Sequence, residues 1–254
     1  MRVVKVGGNL AEDAGWMRSV ADAVAASSVP TLIVHGGGKE ISQLQRALGE
    51  EPEWVDGLRV TTPIALDAVR MVLSGAVNKR WAAALLDAGV DAVGVSGEDG
   101  GLLVGRTIHG GRLGRAGELV SVRTELLHAW MEQGLTPVIS PVSRGTDGGG
   151  LNVNADDAAA AIAATLCAGE LLFVSDVPGV RRAGEWLAAL RGAEAEALAA
   201  SGEASGGMLP KLRAAFTAAA AGVGGVRIGD VAMLTDHAAG TRIEPAREMA
   251  DAGC

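Results

Sequence analysis

The sequence predicts an α/β protein, a three-layer αβα sandwich around a mostly parallel central sheet. Two observations predict it. Short β-favouring runs alternate with helical patterns along the chain, which implies a parallel sheet covered on both faces. Early strand-like runs also end in glycine where a helical pattern follows, as at Val6-Gly7-Gly8 and His35-Gly36-Gly37-Gly38. Parallel sheets bind ligands beyond the carboxyl ends of their strands, so these junctions are the first places to look for a site.

Arg2 to Val6 reads as the first strand, and Asp13 to Ala26 as a helix. Leu32-Ile33-Val34 is a short buried strand, followed by a helix from Glu40 to Leu48. Residues 49–62 form a polar loop. Thr62-Pro63 reads as an N-cap with proline at the first helical position, opening a long helix to Ala88 with a break near Gly75. Val90 to Ser96 is a strand, Gly97 to Gly101 a turn, and 102–122 a set of hairpins over one end of the sheet. Thr124 caps a helix that stops at Gly134. Thr136 to Ser140 is a strand, and Arg144 to Gly150 a flexible glycine-rich loop. Asn152 to Asp156 opens an alanine-rich helix to Ala168, and Glu170 to Ser175 is a strand. Alanine-rich helices fill 187–200, and Gly206-Gly-Met-Leu-Pro-Lys211 opens another helix to about Ala221. Val226 to Gly229 and Thr241 to Ile243 close the sheet.

At 254 residues, 48% hydrophobic and 20% charged, the chain is globular and able to bury a large core. A net charge of −8 argues against nucleic acid, which needs a basic face, and leaves small anionic substrates open. The two cysteines, Cys167 and Cys254, have no metal or redox spacing, and Cys167 reads as a small core residue. The start lacks the apolar region of a signal peptide, and the run from Ala158 to Ala168 is too short to span a bilayer. A cytoplasmic protein is expected.

The chemistry-bearing residues sit near the strand ends. Gly36-Gly37-Gly38 would leave bare N–H groups at a positive helix end, suited to phosphate or carboxylate, or would simply make a tight turn. It is neither a phosphate-binding P-loop nor a dinucleotide fingerprint. Lys5 lies inside a strand expected to be buried, a costly place for an amine unless it meets an anion or reaches water at the edge. Lys211 stands in the first turn of a helix, where the dipole disfavours a cation unless an anion joins it. Asp156, in the first turn of another helix, suits the dipole and is also able to hold two amines. Arg59 offers a fork for a carboxylate, or is a solvated loop arginine. His35 reads as a packed, hydrogen-bonded histidine rather than a base, and no Ser–His or Cys–His arrangement supports a nucleophile.

Taken together, the segments Val4-Lys-Val-Gly-Gly8, Val34-His-Gly-Gly-Gly38, Asp56-Gly-Leu-Arg-Val-Thr61, Val77-Asn-Lys79, Gly114 to Val122, Asn152-Val-Asn-Ala-Asp156, Ser175-Asp-Val-Pro-Gly-Val180, Gly207-Met-Leu-Pro-Lys211 and Gly240-Thr-Arg-Ile243 resemble the amino-acid kinase family. Within it they are similar to the branch acting on N-acetyl-L-glutamate. They occur in the family's order over nearly the whole chain. The resemblance implies the amino-acid kinase (carbamate kinase-like) fold, in one domain whose lobe 1–168 binds the acetylamino acid and whose lobe 169–254 binds the nucleotide. It implies phosphoryl transfer from ATP to the side-chain carboxylate of N-acetyl-L-glutamate, a step in arginine biosynthesis. By similarity Lys5 and Lys211 stabilise the transferring group and Asp156 orients them. Gly7, Gly8, Gly37 and Gly38 present N–H groups. Arg59, Asn152 and Asn154 hold the acceptor. Asp176, Val177, Pro178, Gly179, Val180 and Arg181, with Glu203, Ala204 and Ser205, line the nucleotide. Mg2+ would be held mainly by the ATP phosphates.

Two departures stand out. Between Gly229 and Leu234 the chain is shorter than the family pattern, which questions the last helix, and residues 244–254 match nothing in it. No extra helix precedes the first strand, so a homodimer without arginine feedback is expected. Two other readings remain. One is a kinase for aminoadipate or glutamate on a carrier protein, which calls for basic residues at the cleft mouth. The other is a non-catalytic sensor, natural if Lys5, Lys211 or Asp156 were missing.

Overall fold

The computed structural model describes residues 1–7, 12–201 and 207–245. The chain opens with β1 (Arg2–Val6), α1 (Ala14–Ala25, capped by the Asp13 carboxylate), β2 (Thr31–His35) and α2 (Gly38–Ala47). Helix α2 therefore starts two residues earlier than expected. The polar loop 49–62 contains a hairpin, β3 (Trp54–Val55) and β4 (Leu58–Arg59). Its turn residues Asp56 and Gly57 both take positive φ, 51° and 79°. An Asp-Gly pair suits such a turn because its twist matches that of the two strands.

Thr62 caps α3 (Pro63–Val69) through its hydroxyl, as the sequence suggested. The helix does not break at Gly75. It widens into a π-helical stretch, Arg70–Val77, and runs on as α4 (Asn78–Asp87). The wide turn presses Leu73 against the glycine loop, where a Cβ on Gly37 would lie 2.8 Å from its Cδ2.

Then come β5 (Ala92–Ser96), β6 (Leu103–Thr107), β7 (Ala116–Val122), α5 (Thr124–Glu132) and β8 (Thr136–Ser140). Thr124 is the first residue of α5 rather than its cap; Arg123 holds the cap position without a side-chain bond. The expected loop at 144–150 is instead the turn between β9 (Val142–Gly145) and β10 (Gly150–Val153). Strands β6, β7, β9 and β10 close into a small barrel over one end of the sheet.

Next are α6 (Ala155–Thr165), β11 (Glu170–Val174), a second tiny hairpin of β12 (Arg181–Arg182) and β13 (Glu185–Trp186), β14 (Ala189–Arg191), α7 (Gly192–Ser201), α8 (Met208–Ala220), β15 (Val226–Gly229) and β16 (Thr241–Glu244). Strand β14 lies where only helix was expected. Cys167 is exposed rather than core, with φ 46° just past the end of α6, where a left-handed residue terminates the helix and points outward.

The main sheet has eight strands in the order β14-β16-β15-β11-β1-β2-β8-β5, parallel throughout except where β16 pairs antiparallel with β15. Its pleat sorts residues between two cores. Val3, Leu32, Val34, Leu171 and Phe173 pack under α5, α6 and α8. Val4, Val6, Ile33, Leu172 and Val174 pack under α1, α3, the π stretch and α4. These are the two outer layers of the sandwich. Lys5 shares the parity of Val3, and so faces α6 and α8.

The shortened segment after β15 forms a single 3-10 turn, Val231–Leu234, capped by Asp230. Two buried arginines catch the carbonyls of this region. Arg2 donates to Leu234 O, and Arg227 donates to the carbonyls of Met233, Asp236 and Ala239 while pairing with Glu170. No helix of the described residues is long and apolar enough to cross a membrane.

Candidate active site

Beyond the ends of β1 and β2 lies a cavity of about 210 Å³. It is lined by Lys5, the Gly36–Gly38 loop, the β3–β4 hairpin and the Asn152–Asp156 segment that leads from β10 into α6. At its floor Lys5 Nζ lies 2.8 Å from Asp156 Oδ1, and Lys211 Nζ lies 3.8 Å from the same oxygen. All three residues are at most 7% exposed. Both amines therefore pair with this one buried oxygen, Lys5 the more closely.

Three elements converge here for separate reasons. Strand parity aims Lys5 at α6. Asn154 caps α6, its side-chain oxygen accepting from the N–H groups of Asp156 and Asp157, which fixes the turn that carries Asp156. Lys211 enters from the first turn of α8 with its amine 5.9 Å from the ring of Phe173, the residue paired with Lys5 across β1 and β11. Burial alone would raise the Asp156 carboxyl, but Lys5 and then Lys211 outweigh it and hold it below its ordinary range. Burial, followed by repulsion from Lys5, lowers Lys211 to about 8 against the pull of Asp156 and Asp176. Two cations share one carboxylate beside helix N-termini, so the floor carries net positive charge and suits an anion.

Arg59 forms a second positive wall. It is buried, donating to Gln45 Oε1 at 2.7 Å, Ser42 Oγ at 2.8 Å and Gly38 O at 3.0 Å, with Trp54 stacked at 4.4 Å. Among the described residues no carboxylate pairs with it. Burial, then Arg46, lowers its pKa to about 10, so it stays charged at neutral pH. A buried guanidinium held only by neutral acceptors is suited to a planar carboxylate. Asn152 also lines the cavity and donates to Thr61 Oγ1 at 3.1 Å.

The structure thus brings Lys5, Gly37, Gly38, Arg59, Asn152, Asn154 and Asp156 into one cavity, with Lys211 joined through Asp156. Half of Asn154 is spent on capping. The strip from Asp176 to Arg181 is not part of this lining. Asp176, Pro178 and Arg181 are exposed on the rim, while Val180 packs in the core. Thr241 pins the strip, accepting from Val180 N at 2.8 Å and donating to Leu187 O at 2.6 Å. Gly7 ends β1, its N–H bonded to Val174 O. Gly8, Glu203, Ala204 and Ser205 lie outside the described residues. Sequence reasoning missed Ser42, Gln45, Trp54 and Leu73. For Trp54 the signal was present, since Asp56-Gly57 marks a hairpin that pairs Trp54 with Arg59.

The sequence profile of the Amino acid kinase family matches residues 1–230. The chain belongs to the amino-acid kinase family. An acetylglutamate kinase of Roseiflexus castenholzii is 49% identical over 238 residues, covering 92% of this chain and 91% of that one. Among solved structures, a protein of Streptococcus mutans superposes with a TM-score of 0.83 at 26% identity, covering 96% of this chain and 98% of the other. The carbamate kinase of Giardia lamblia bound to AMP-PNP, at 15% identity and a TM-score of 0.72 over 96% and 98% of the two chains, shares the amino-acid kinase fold.

Proposed function

We propose that this chain transfers the γ-phosphoryl group of ATP to the side-chain carboxylate of N-acetyl-L-glutamate, giving N-acetyl-L-glutamyl 5-phosphate for arginine biosynthesis. The observation that carries the reading is the buried Lys5–Asp156–Lys211 cluster at the floor of the cavity that also holds Arg59, an arginine with no carboxylate partner among the described residues. The names and identity of relatives such as the Roseiflexus castenholzii enzyme support it.

The acceptor carboxylate is ionised at neutral pH and needs no base. It attacks the γ-phosphorus, the bond to ADP breaks, and charge spreads over the equatorial oxygens. Lys5 and Lys211 stabilise that charge, and Asp156 keeps both amines aimed. Arg59 takes the acceptor's other carboxylate, and Asn152 holds the acetylamino portion. Gly8, Gly37 and Gly38 supply N–H donors, while the Gly7 N–H is spent on Val174 O and Gly7 serves only as close-approaching backbone. Residues 1–168 form the acceptor lobe and 169–254 the nucleotide lobe, where Asp176 to Arg181 and Glu203 to Ser205 line ATP. Among the described residues no group of His, Cys, Asp and Glu forms a metal cage, and Asp156 is engaged by two amines, which suits a Mg2+ carried mainly by the phosphates. Bound there, Mg2+ would neutralise phosphate charge. We take the working form to be a cytoplasmic homodimer.

The test is ADP release with N-acetylglutamate, glutamate, aspartate and aminoadipate side by side. N-acetylglutamate is expected to give the highest kcat/KM. Faster turnover of free glutamate or of a carrier-bound acceptor would overturn the assignment, and no ADP release with any acceptor would favour a sensor.

A further inference from the structure

His35 and Asn78 take no part in the chemistry above, yet both are fully buried directly behind the glycine loop. Their hydrogen bonds determine one another. Lys79 Nζ, a donor only, lies 3.0 Å from Asn78 Oδ1, so that atom is the amide oxygen. The other amide atom lies 2.9 Å from Val138 O and 3.1 Å from Val95 O, both acceptors only, so it is the NH2. That NH2 also lies 3.2 Å from His35 Nε2. The two NH2 protons serve three neighbours, so one is shared with Nε2, and an Nε2–H there would set donor against donor; Nε2 therefore presents its lone pair and the proton of the neutral ring is on Nδ1. Nδ1 in turn lies 3.3 Å from Gly36 O, an acceptor. The donor sequence therefore runs Lys79, Asn78, His35, Gly36.

The peptide joining Gly36 to Gly37 is planar and trans, so its C=O and N–H point in opposite directions. A bond that draws Gly36 O toward the buried ring turns the Gly37 N–H away from it. Gly36, Gly37 and Gly38 line the cavity. No backbone acceptor within the described residues takes the Gly37 N–H.

We propose that His35 and Asn78 are positioning residues that act through the Gly36 carbonyl to aim the Gly37 N–H at the transferring phosphoryl group. Burial holds His35 near a pKa of about 4, with Arg80 and Lys79 adding to the lowering, so the ring stays neutral under working conditions. An imidazolium would place a second N–H against the Asn78 amide and break the sequence of donors.

This inference rests on the proposed phosphoryl transfer, and the experiment separates the two. Wild-type turnover of N-acetylglutamate is measured first; its absence would sink the functional reading, while two nuclear magnetic resonance observables still judge the relay. In 15N-histidine-labelled wild type, His35 is expected as the neutral Nδ1–H tautomer, unchanged between about pH 6 and 8. Asn78→Asp replaces the donor by an acceptor, so Nε2 should become protonated and the Gly37 amide resonance should move. In activity, His35→Leu keeps volume without a donor and should lower kcat by about tenfold or more, with the KM for both substrates little changed, the pattern of a donor that acts in the transition state. His35→Asn, whose amide nitrogen falls near the Nδ1 position, should recover most of that loss. A merely structural role would give equal defects in both variants. An Nε2–H tautomer in the wild type, or full kcat in folded His35→Leu, overturns the proposal. If His35→Leu does not fold, Asn78→Asp decides, and an unchanged His35 tautomer or full kcat there overturns it as well.

Discussion

The molecule uses the same small device twice. In β3–β4, Trp54 pairs across the strands with Arg59, and in β12–β13, Arg181 pairs with Trp186. Each hairpin turns through two residues of positive φ, Asp56 and Gly57 in one, Ala183 and Gly184 in the other. Each arginine stacks on its tryptophan, at 4.4 Å and 5.6 Å. Their surroundings differ completely. The first hairpin folds down onto α2, so Arg59 is buried against Gln45, Ser42 and Gly38. The second projects from the rim, where Arg181 is exposed and donates to its own turn at Gly184 O. The local sequence creates an arginine–tryptophan pair; the element beneath it decides whether that pair is buried in a cavity wall or left at a solvated edge. We read the first as the acceptor clamp and the second as part of an open nucleotide rim.

The strongest test of this division acts at the centre that both halves share. Asp156→Asn should reduce kcat by about 100-fold or more, equivalent to about 2.7 kcal/mol, with both KM values near wild type. Kinetics on a variant of matched thermal stability check this, and full kcat would make Asp156 a mere helix-dipole residue. The next effect is in pH. Burial lowers Lys211 to about 8, and for the cationic role proposed for it kcat/KM should be level below that pH and fall about tenfold per unit above it, as the amine loses its proton. In Lys211→Arg the fall should move to higher pH, and an unmoved limb would assign it to another group.

Arg59→Lys keeps the charge but loses the fork, and should raise the acceptor KM by about tenfold while leaving the ATP KM unchanged. A shift in the ATP KM instead would mean that the two hairpins have been assigned the wrong way round. The smallest effect concerns the tryptophans. Trp54→Ala removes about 0.5–1 kcal/mol of cation–π contact, so the acceptor KM should rise about two- to fivefold. Trp186→Ala should leave the acceptor KM untouched, and equal effects from the two would erase the distinction.

Much of the cavity was legible because its residues break a local rule. A lysine inside a buried strand and another in the first turn of a helix both call for an anion, and Asp156 at a helix start is the natural partner. The parallel sheet was legible from the alternation of strands and helices. What was hidden depends on long-range pairing. The barrel joins β6 to β9 and β7 to β10, and no local pattern records those partners. Glycines at 145 and 148–150 read as a flexible loop, yet they form the turn of a hairpin whose strands gain their partners only in the barrel. The π stretch was invisible because it keeps a helical pattern while shifting Leu73 onto Gly37. Cys167 misled because an apolar neighbourhood in sequence says nothing of which way a helix-terminating residue points.

Lys5 owes its place to alternation along β1, with Val3 beneath one helical layer and Val4 and Val6 beneath the other. A slip of one residue in the pairing of β1 would exchange these faces, burying the ammonium beneath α1 and α4 without its carboxylate and emptying the site of its first cation. The strand cannot misalign and stay either stable or active. Turnover therefore reports on strand register as well as on chemistry.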